Sequence, residues 1–307
     1  MPDHPQQLTD LGENALIRRL TRHLPVSAEQ VELGAGDDCA LLPSPDPTKW
    51  QLFKTDCLVE DVHFTRDTPP AQVGRKAVAR TVSDFAAMAG RPSSFLITAV
   101  LPKDLALDYA EGLFQGMGRA AREFQISAAG GETSSSPGGI MLSIAMLGEV
   151  RKERCVPRSG GKPGDAVFVT GRLGHTLAGH HLQFQPRLEE AEWLSANFPI
   201  HAMMDLSDGV GADLPRLARA SGLGYHVTWE NLPCRDGASP REALEDGEDY
   251  ELLFTLPAAQ AARLQKRWQD HFTLELTRIG RLTEPTTNSE THEGSQRSGG
   301  FDHFAQP

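Results

Sequence analysis

Apolar residues recur at helical spacing in "ENALIRRLTRHL" (Glu13 to Leu24), a pattern that predicts a short amphipathic helix ended by Pro25, which cannot continue it. "GRKAVARTVSDFAAMAG" (Gly74 to Gly90) and "LALDYAEGLFQGMGRAAREF" read as longer helices, the first with small residues on its packing face. Between and after them, "WQLFKTD", "SSFLITAVLP" and "GIMLSIAMLGEV" (Gly139 to Val150) read as strands, the first running into the acidic "TD". A turn-rich "CVPRSGGKPGD" (Cys155 to Asp165) then interrupts the pattern, and the spacing predicts a domain boundary just before it, giving domains of residues 1–152 and 153–307.

The second half opens with strand "AVFVTG" and continues with two helical patterns, the short strand "AMMDLSD" and a helix from about Asp208 to Ser221. Strands "GYHVTWE" and "DYELLFTL", helix "PAAQAARLQKRWQDHF" and strand "TLELTRIGRL" complete an α/β or α+β unit. From Glu284 to Gly300 the chain turns polar and small, the composition of a mobile segment, before an aromatic "FDHF".

A length of 307 residues exceeds a single small core and suits two domains. A net charge of −11 argues against a nucleic-acid partner, which would need a basic face to neutralise phosphates. It permits phosphate ligands if divalent cations stand between carboxylates and phosphate oxygens. The first thirty residues offer no secretory core and no stretch approaches membrane-spanning length, so the expected location is the cytoplasm, without a membrane partner. Cys39, Cys57, Cys155 and Cys234 form no C-x-x-C pair and read as reduced thiols.

The chemistry begins with "GAGDDCA". Two adjacent carboxylates repel by roughly 1 kcal/mol in water and about 4 kcal/mol at a surface dielectric when some 4 Å apart. The same motif, an acid beside a glycine or hydroxyl residue, recurs at Asp37 and Asp38, Asp56 ("KTD"), Asp84 ("VSD"), Glu132 ("GGET"), and Asp205 and Asp208 ("DLSDG"). Neither a P-loop nor a G-x-G-x-x-G fingerprint is present. Taken singly, each acid has a plainer reading: Ser207 or Asp208 as a helix cap, "GDD" as a turn, the glycines as positions of positive φ. Together they form the carboxylate set a hard cation draws from several loops, and Mg²⁺ bridges such carboxylates to substrate phosphates.

In order along the chain, "VELGAGDDCALL", "KTDCLVEDVHF", "RKAVARTVSDFAAMAGRP", "GGETSSSP", "RSGGKPGDAVFVTGRLG", "AMMDLSDGVGADL", "GEDYELLF" and "GFDHF" resemble the thiamine-monophosphate kinase family, over residues 13–304. The resemblance implies an α/β fold of two domains, the N-terminal one forming a β-barrel that spans a homodimer and the C-terminal one α/β. It implies ATP as co-substrate, several Mg²⁺ ions, thiamine monophosphate as acceptor, and direct in-line transfer to give thiamine diphosphate. Carried over by position, the metal ligands would be Asp38, Thr55, Asp56, Asp84, Glu132, Asp205 and Asp208. Gly131, Glu132, Arg158 and Ser207 would contact the nucleotide. His63 and Glu248 would contact thiamine monophosphate, with Phe301 stacked on its rings. An acceptor phosphate is already anionic at neutral pH, so no residue is assigned as general base.

The sequence departs from the family in several places. Lys54 stands where a hydroxyl residue is usual, and a charged ammonium cannot ligate Mg²⁺; the expectation is that it replaces one ion's charge. Glu132 replaces an aspartate, Asp61 a glycine, and the connection near residues 181–186 is shortened. Two other readings remain: a relative of the same fold acting on another substrate, and a nucleotide-binding homologue without transfer activity.

Overall fold

The computed structural model describes Leu8 and residues 13–285; Phe301, "GFDHF" and nearly all of the polar 284–300 segment lie outside the described residues. Helix α1 (Glu13–Thr21) is followed by β1 (Ala40–Pro43), β2 (Lys49–Val59), α2 (Pro70–Ala87), β3 (Arg91–Pro102), α3 (Leu107–Glu123), β4 (Ser127–Ser136) and β5 (Met141–Arg151). These five strands form one sheet in the order β1-β2-β5-β3-β4, antiparallel except for the parallel β3–β4 pair.

Among the described residues no sheet closes or curls, so the barrel expected across a dimer is absent. The first sheet is open, with β1 and β4 as unpaired edges. Helices α2 and α3 cover the inner face through a core of Leu52, Leu58, Ile97, Ile144, Met146, Val78, Val82 and Leu113. On the outer face Phe53 and Leu96 stay exposed.

The second half contributes β6 (Ala166–Thr170), α4 (His180–Gln183), α5 (Leu188–Asn197), β7 (Ala202–Asp205), α6 (Val210–Ala220), β8 (Gly224–Val227), α7 (Pro240–Glu245), β9 (Leu252–Leu256), α8 (Ala261–Gln269) and β10 (Leu276–Thr283). Its sheet runs β7-β9-β6-β10-β8, antiparallel throughout. Strands β6 and β9 are buried at every residue because helices cover both faces, which is why they read as continuous apolar runs. Val167, Val169 and Leu253 pack with α6, while Phe168 and Phe254 pack with α5 and α8 around Trp268.

Helix α2 lies between the two sheets. Thirteen of its eighteen residues are buried, so it has little solvent face to which polar side chains could escape. Ala86 joins the core of the second sheet. Gly74 lets α3 approach, since a Cβ there would fall 2.0 Å from the Leu113 carbonyl oxygen. Among the described residues no helix is long and apolar enough to cross a membrane.

Candidate active site

Lys76, Arg80 and Asp84 recur every four residues on α2 and therefore share one face, with Ser83 beside Asp84. In a helix otherwise built of Ala, Val and Phe, this is a polar stripe enclosed in protein. Each member has a partner from another element. Asp84 Oδ1 accepts from Lys54 Nζ on β2 at 2.6 Å, and Ser83 Oγ donates to Asp205 Oδ2 at 2.6 Å. Arg80 Nη1 donates to the Cys57 carbonyl at 3.0 Å, and its Nε stands 2.7 Å from Asp56 Oδ2.

Asp38, Asp84 and Asp205 are all buried, and one carboxylate oxygen from each lies within 4.8 Å of the others. They come from the loop before β1, from α2 and from the end of β7, so three remote segments converge. Burial, opposed by the Lys54 ammonium and reinforced by Asp205, holds the Asp84 carboxyl well above the usual range. Burial and then Asp38 push Asp205 up to about 7, against the pull of the Ser83 hydrogen bond. For Lys54 burial alone would lower the pKa, but Asp84 and Asp56 outweigh it and hold the ammonium charged.

The adjacent aspartates of "GDD" divide their partners. Arg158 grips Asp38 with two bonds, Nη2 to Oδ1 at 2.6 Å and Nε to Oδ2 at 3.1 Å. Asp37 accepts from the Asp38 and Arg158 backbone N–H groups at 2.9 and 3.0 Å. Burial and the Asp38 charge still push Asp37 up to about 6. Ionised, Asp37, Asp38, Asp56, Asp84 and Asp205 outnumber Lys54, Arg80 and Arg158 by two charges, a deficit that one divalent cation cancels. Buried carboxylates carrying that deficit fit a hard cation.

Three sequence-predicted ligands lie elsewhere. Along β2, Lys54 and Asp56 alternate with Thr55, and Thr55 sits on the exposed outer face, its Oγ1 3.3 Å from Ser143 Oγ. Glu132 and Gly131 lie on the exposed edge strand β4, where Glu132 pairs in register with Thr98. Gly131 has a packing reason of its own: a Cβ would fall 2.0 Å from the Ile97 carbonyl oxygen. Asp208 is also outside the three-carboxylate group, ion-paired with Arg216, which bonds Asp213 at 2.9 Å as well. Helix α6 is capped by Gly209, so neither Ser207 nor Asp208 is its cap. The Ser207 carbonyl instead accepts from the Glu248 N–H at 2.8 Å.

His63 and Glu248 come together through a residue the sequence reading gave no role. Lys76 Nζ donates to the His63 carbonyl at 2.7 Å and reaches both Glu248 oxygens at 2.6 and 2.8 Å. Its side chain has no exposure at all. Burial pulls its pKa down, and the Glu248 charge opposes that. His63 Nδ1 accepts from the Val59 N–H at 3.0 Å, leaving the proton on Nε2. Asp61 takes φ 64°, the left-handed conformation a glycine there would adopt, and Glu248 takes φ 66°. In the short connection between α4 and α5, Phe184 stacks on Tyr250 with ring centroids 3.9 Å apart, and the Tyr250 hydroxyl lies 3.5 Å from Glu248 Oε1. Lys76, Arg80 and Ser83 were present in "RKAVARTVSD"; the four-residue spacing of Lys76, Arg80 and Asp84 on an apolar helix, with Ser83 beside the last, is the signal that could have found them.

The chain matches the family model described as AIR synthase related protein, N-terminal domain, over residues 36–150, and the corresponding C-terminal domain over residues 166–292. It is 36% identical over 289 residues to the thiamine-monophosphate kinase of Rhodopirellula baltica, covering 89% of each chain. It is 35% identical over 306 residues to that of Aquifex aeolicus, covering 91% of this chain and 94% of that protein. The solved structure of AaThiL complexed with AMPPCP and TMP superposes with a TM-score of 0.82 at 32% identity, covering 98% of this chain and 100% of that one.

Proposed function

The chain belongs to the thiamine-monophosphate kinase family of AIR synthase related proteins, and we infer that it catalyses the ATP-dependent phosphorylation of thiamine monophosphate to thiamine diphosphate. The observation that carries this reading is the buried group Asp38, Asp84 and Asp205, whose charge is compensated only in part by Lys54 and Arg158. Those three carboxylates, with Asp56 and Asp208 at the margins, would hold Mg²⁺. Bound there, Mg²⁺ supplies charge neutralisation and orientation for the transferred phosphoryl group.

The chain's own residues supply the rest by position. Asp84 and Asp38 are fixed by Lys54 and Arg158 before any ligand arrives, so little reorganisation accompanies binding. Arg158 also brings a guanidinium to the nucleotide side, where Ser207 and Gly131 would contact ATP. His63 and Glu248 bind thiamine monophosphate, with Phe301 stacked on its rings. The acceptor phosphate oxygen, already anionic, attacks the γ-phosphorus in line without a general base, the bond to the β–γ bridging oxygen breaks, and ADP leaves with that electron pair. Lys54 takes the place of one metal ion's charge.

Thr55 and Glu132 face away from the buried carboxylates. We assign them to a site completed by a second copy of the chain, in a homodimer packed through the outer face of the first sheet, where exposed Phe53 and Leu96 are apolar. The working division is residues 1–152 for nucleotide and metal binding and 153–307 for the second domain, in a cytoplasmic protein with no nucleic-acid or membrane partner. The test is formation of thiamine diphosphate by the purified protein with ATP, Mg²⁺ and thiamine monophosphate, beside Asp56→Asn. Product from the wild type and little from the variant is expected. No product from a protein that still binds nucleotide would overturn the reading in favour of another acceptor or a retired site.

A further inference from the structure

We propose that Lys76 is a positioning residue that sets the spacing of the thiamine monophosphate site by tying the His63 loop of the first half to the Glu248 loop of the second; this rests on the kinase reading above. The His63 carbonyl and Glu248 Oε2 accept hydrogen bonds from its ammonium, and Glu248 Oε1 stands 2.6 Å away as the other oxygen of the ion pair. With no exposed surface, Lys76 acts only through those neighbours.

The two loops need such a tie. Each carries a non-glycine residue at positive φ, Asp61 at 64° and Glu248 at 66°, a backbone state that costs energy and persists where surroundings enforce it. In the His63 loop the His63 N–H donates to the Val59 carbonyl and its Nδ1 accepts from the Val59 N–H, while Glu60 at the start of the loop pairs with Ile140 of the same half. The Glu248 loop is held on its own side by the Ser207 carbonyl. Lys76 bonds both at once. The rigid base is α2, which also carries Asp84, so one helix fixes the distance between the acceptor site and the buried carboxylates. Small misplacements of a reacting group lower rates steeply, which gives this distance its functional weight.

The experiment compares Lys76→Met, Lys76→Gln, Glu248→Gln and the Lys76→Met/Glu248→Gln double variant in steady-state kinetics, with affinity for a non-hydrolysable ATP analogue measured by calorimetry on each. Lys76→Met is expected to raise KM for thiamine monophosphate by about tenfold or more while KM for ATP stays within about twofold. Lys76→Gln, which keeps donors at the same depth, recovers part of the loss. The double variant is no worse than the poorer single one, because both remove the same tie. Unchanged KM for thiamine monophosphate, equal rises in both KM values, or additive losses in the double variant would overturn the assignment. Should neither lysine variant fold, Lys76→Arg, which keeps a buried cation of different reach, decides: a rise confined to that KM supports the proposal and an unchanged value overturns it. Wild-type protein that binds the analogue yet makes no thiamine diphosphate would remove the kinase reading itself, and this assignment with it.

Discussion

The two faces of the first sheet are built on opposite terms. On the inner face, Lys54 and Asp56 point toward α2, and each charge meets an opposite one before it can be stranded. On the outer face, one residue along the same strand, Thr55 is exposed, Glu132 lies on an exposed edge strand, and Phe53 and Leu96 are open to solvent. One chain thus assembles the inner half of the expected site unaided and merely displays the outer half. A buried carboxylate is costly unless paired or bound to a metal, so the inner face had to be organised for the chain to fold. No such penalty forces order on the outer one.

That contrast can be broken most sharply at Asp84. Asp84→Asn is expected to lower turnover on the order of 100-fold or more, and to weaken Mn²⁺ binding measured by electron paramagnetic resonance. Retained Mn²⁺ affinity would mean that the inner face holds no metal there. Next comes the outer face: Phe53→Asp combined with Leu96→Asp should give a monomer by light scattering, with turnover reduced by roughly tenfold or more. A monomer of full activity would leave Thr55 and Glu132 without a part in the site. Lys54→Ser should add one Mn²⁺ per chain in the same titration and steepen the Mg²⁺ dependence, while changing turnover by about tenfold or less; an unchanged count would show that the ammonium does not stand in for an ion.

The smallest effect concerns a buried carboxylate of the second half, next in sequence to Glu248. Asp249 Oδ1 accepts from the Gly174 N–H at 3.0 Å and Arg235 Nη1 at 3.2 Å, while its Oδ2 is enclosed without a hydrogen-bond partner. Burial, only partly offset by Arg235, pushes its pKa from 3.8 up to about 8. The folded state therefore binds a proton that the unfolded chain releases near pH 4. Its stabilising contribution is complete below that pH and is lost as pH rises through about 8. Asp249→Asn should flatten the fall of Tm between pH 5 and 8, by a slope of at most about 1.4 kcal/mol per pH unit. An identical pH profile would show the carboxyl to be ionised throughout.

Much of this was legible in the chain. Long periodic segments such as α2, α3, β3 and β5 declare themselves because their patterning is what buries them. Strand β4, "SAAGGETSSS", has no apolar alternation, and its strand state comes from parallel pairing with β3 that Gly131 permits. The four-residue β1 and six-residue α7 are too short to show a period. Among site residues, the acids stood out by their glycine and hydroxyl neighbours. Their counter-charges did not: Lys76 and Arg80 on a helix read as solvent-facing until the second sheet is laid over them. The barrel came from family resemblance and not from any pattern in the strands, and the open edges of β1 and β4 remove it.

The polar stripe of α2 has a consequence for how the molecule comes apart. Lys76 is satisfied by Glu248 and Ser83 by Asp205, both from the second half, while Asp84 is satisfied by Lys54 from the first. Melting either half alone would strand an ion or a hydroxyl in the interior of the other, at a cost of several kcal/mol per buried charge. Heat is thereby denied a partly dismantled stopping point, and the two sheets lose their structure in one cooperative event.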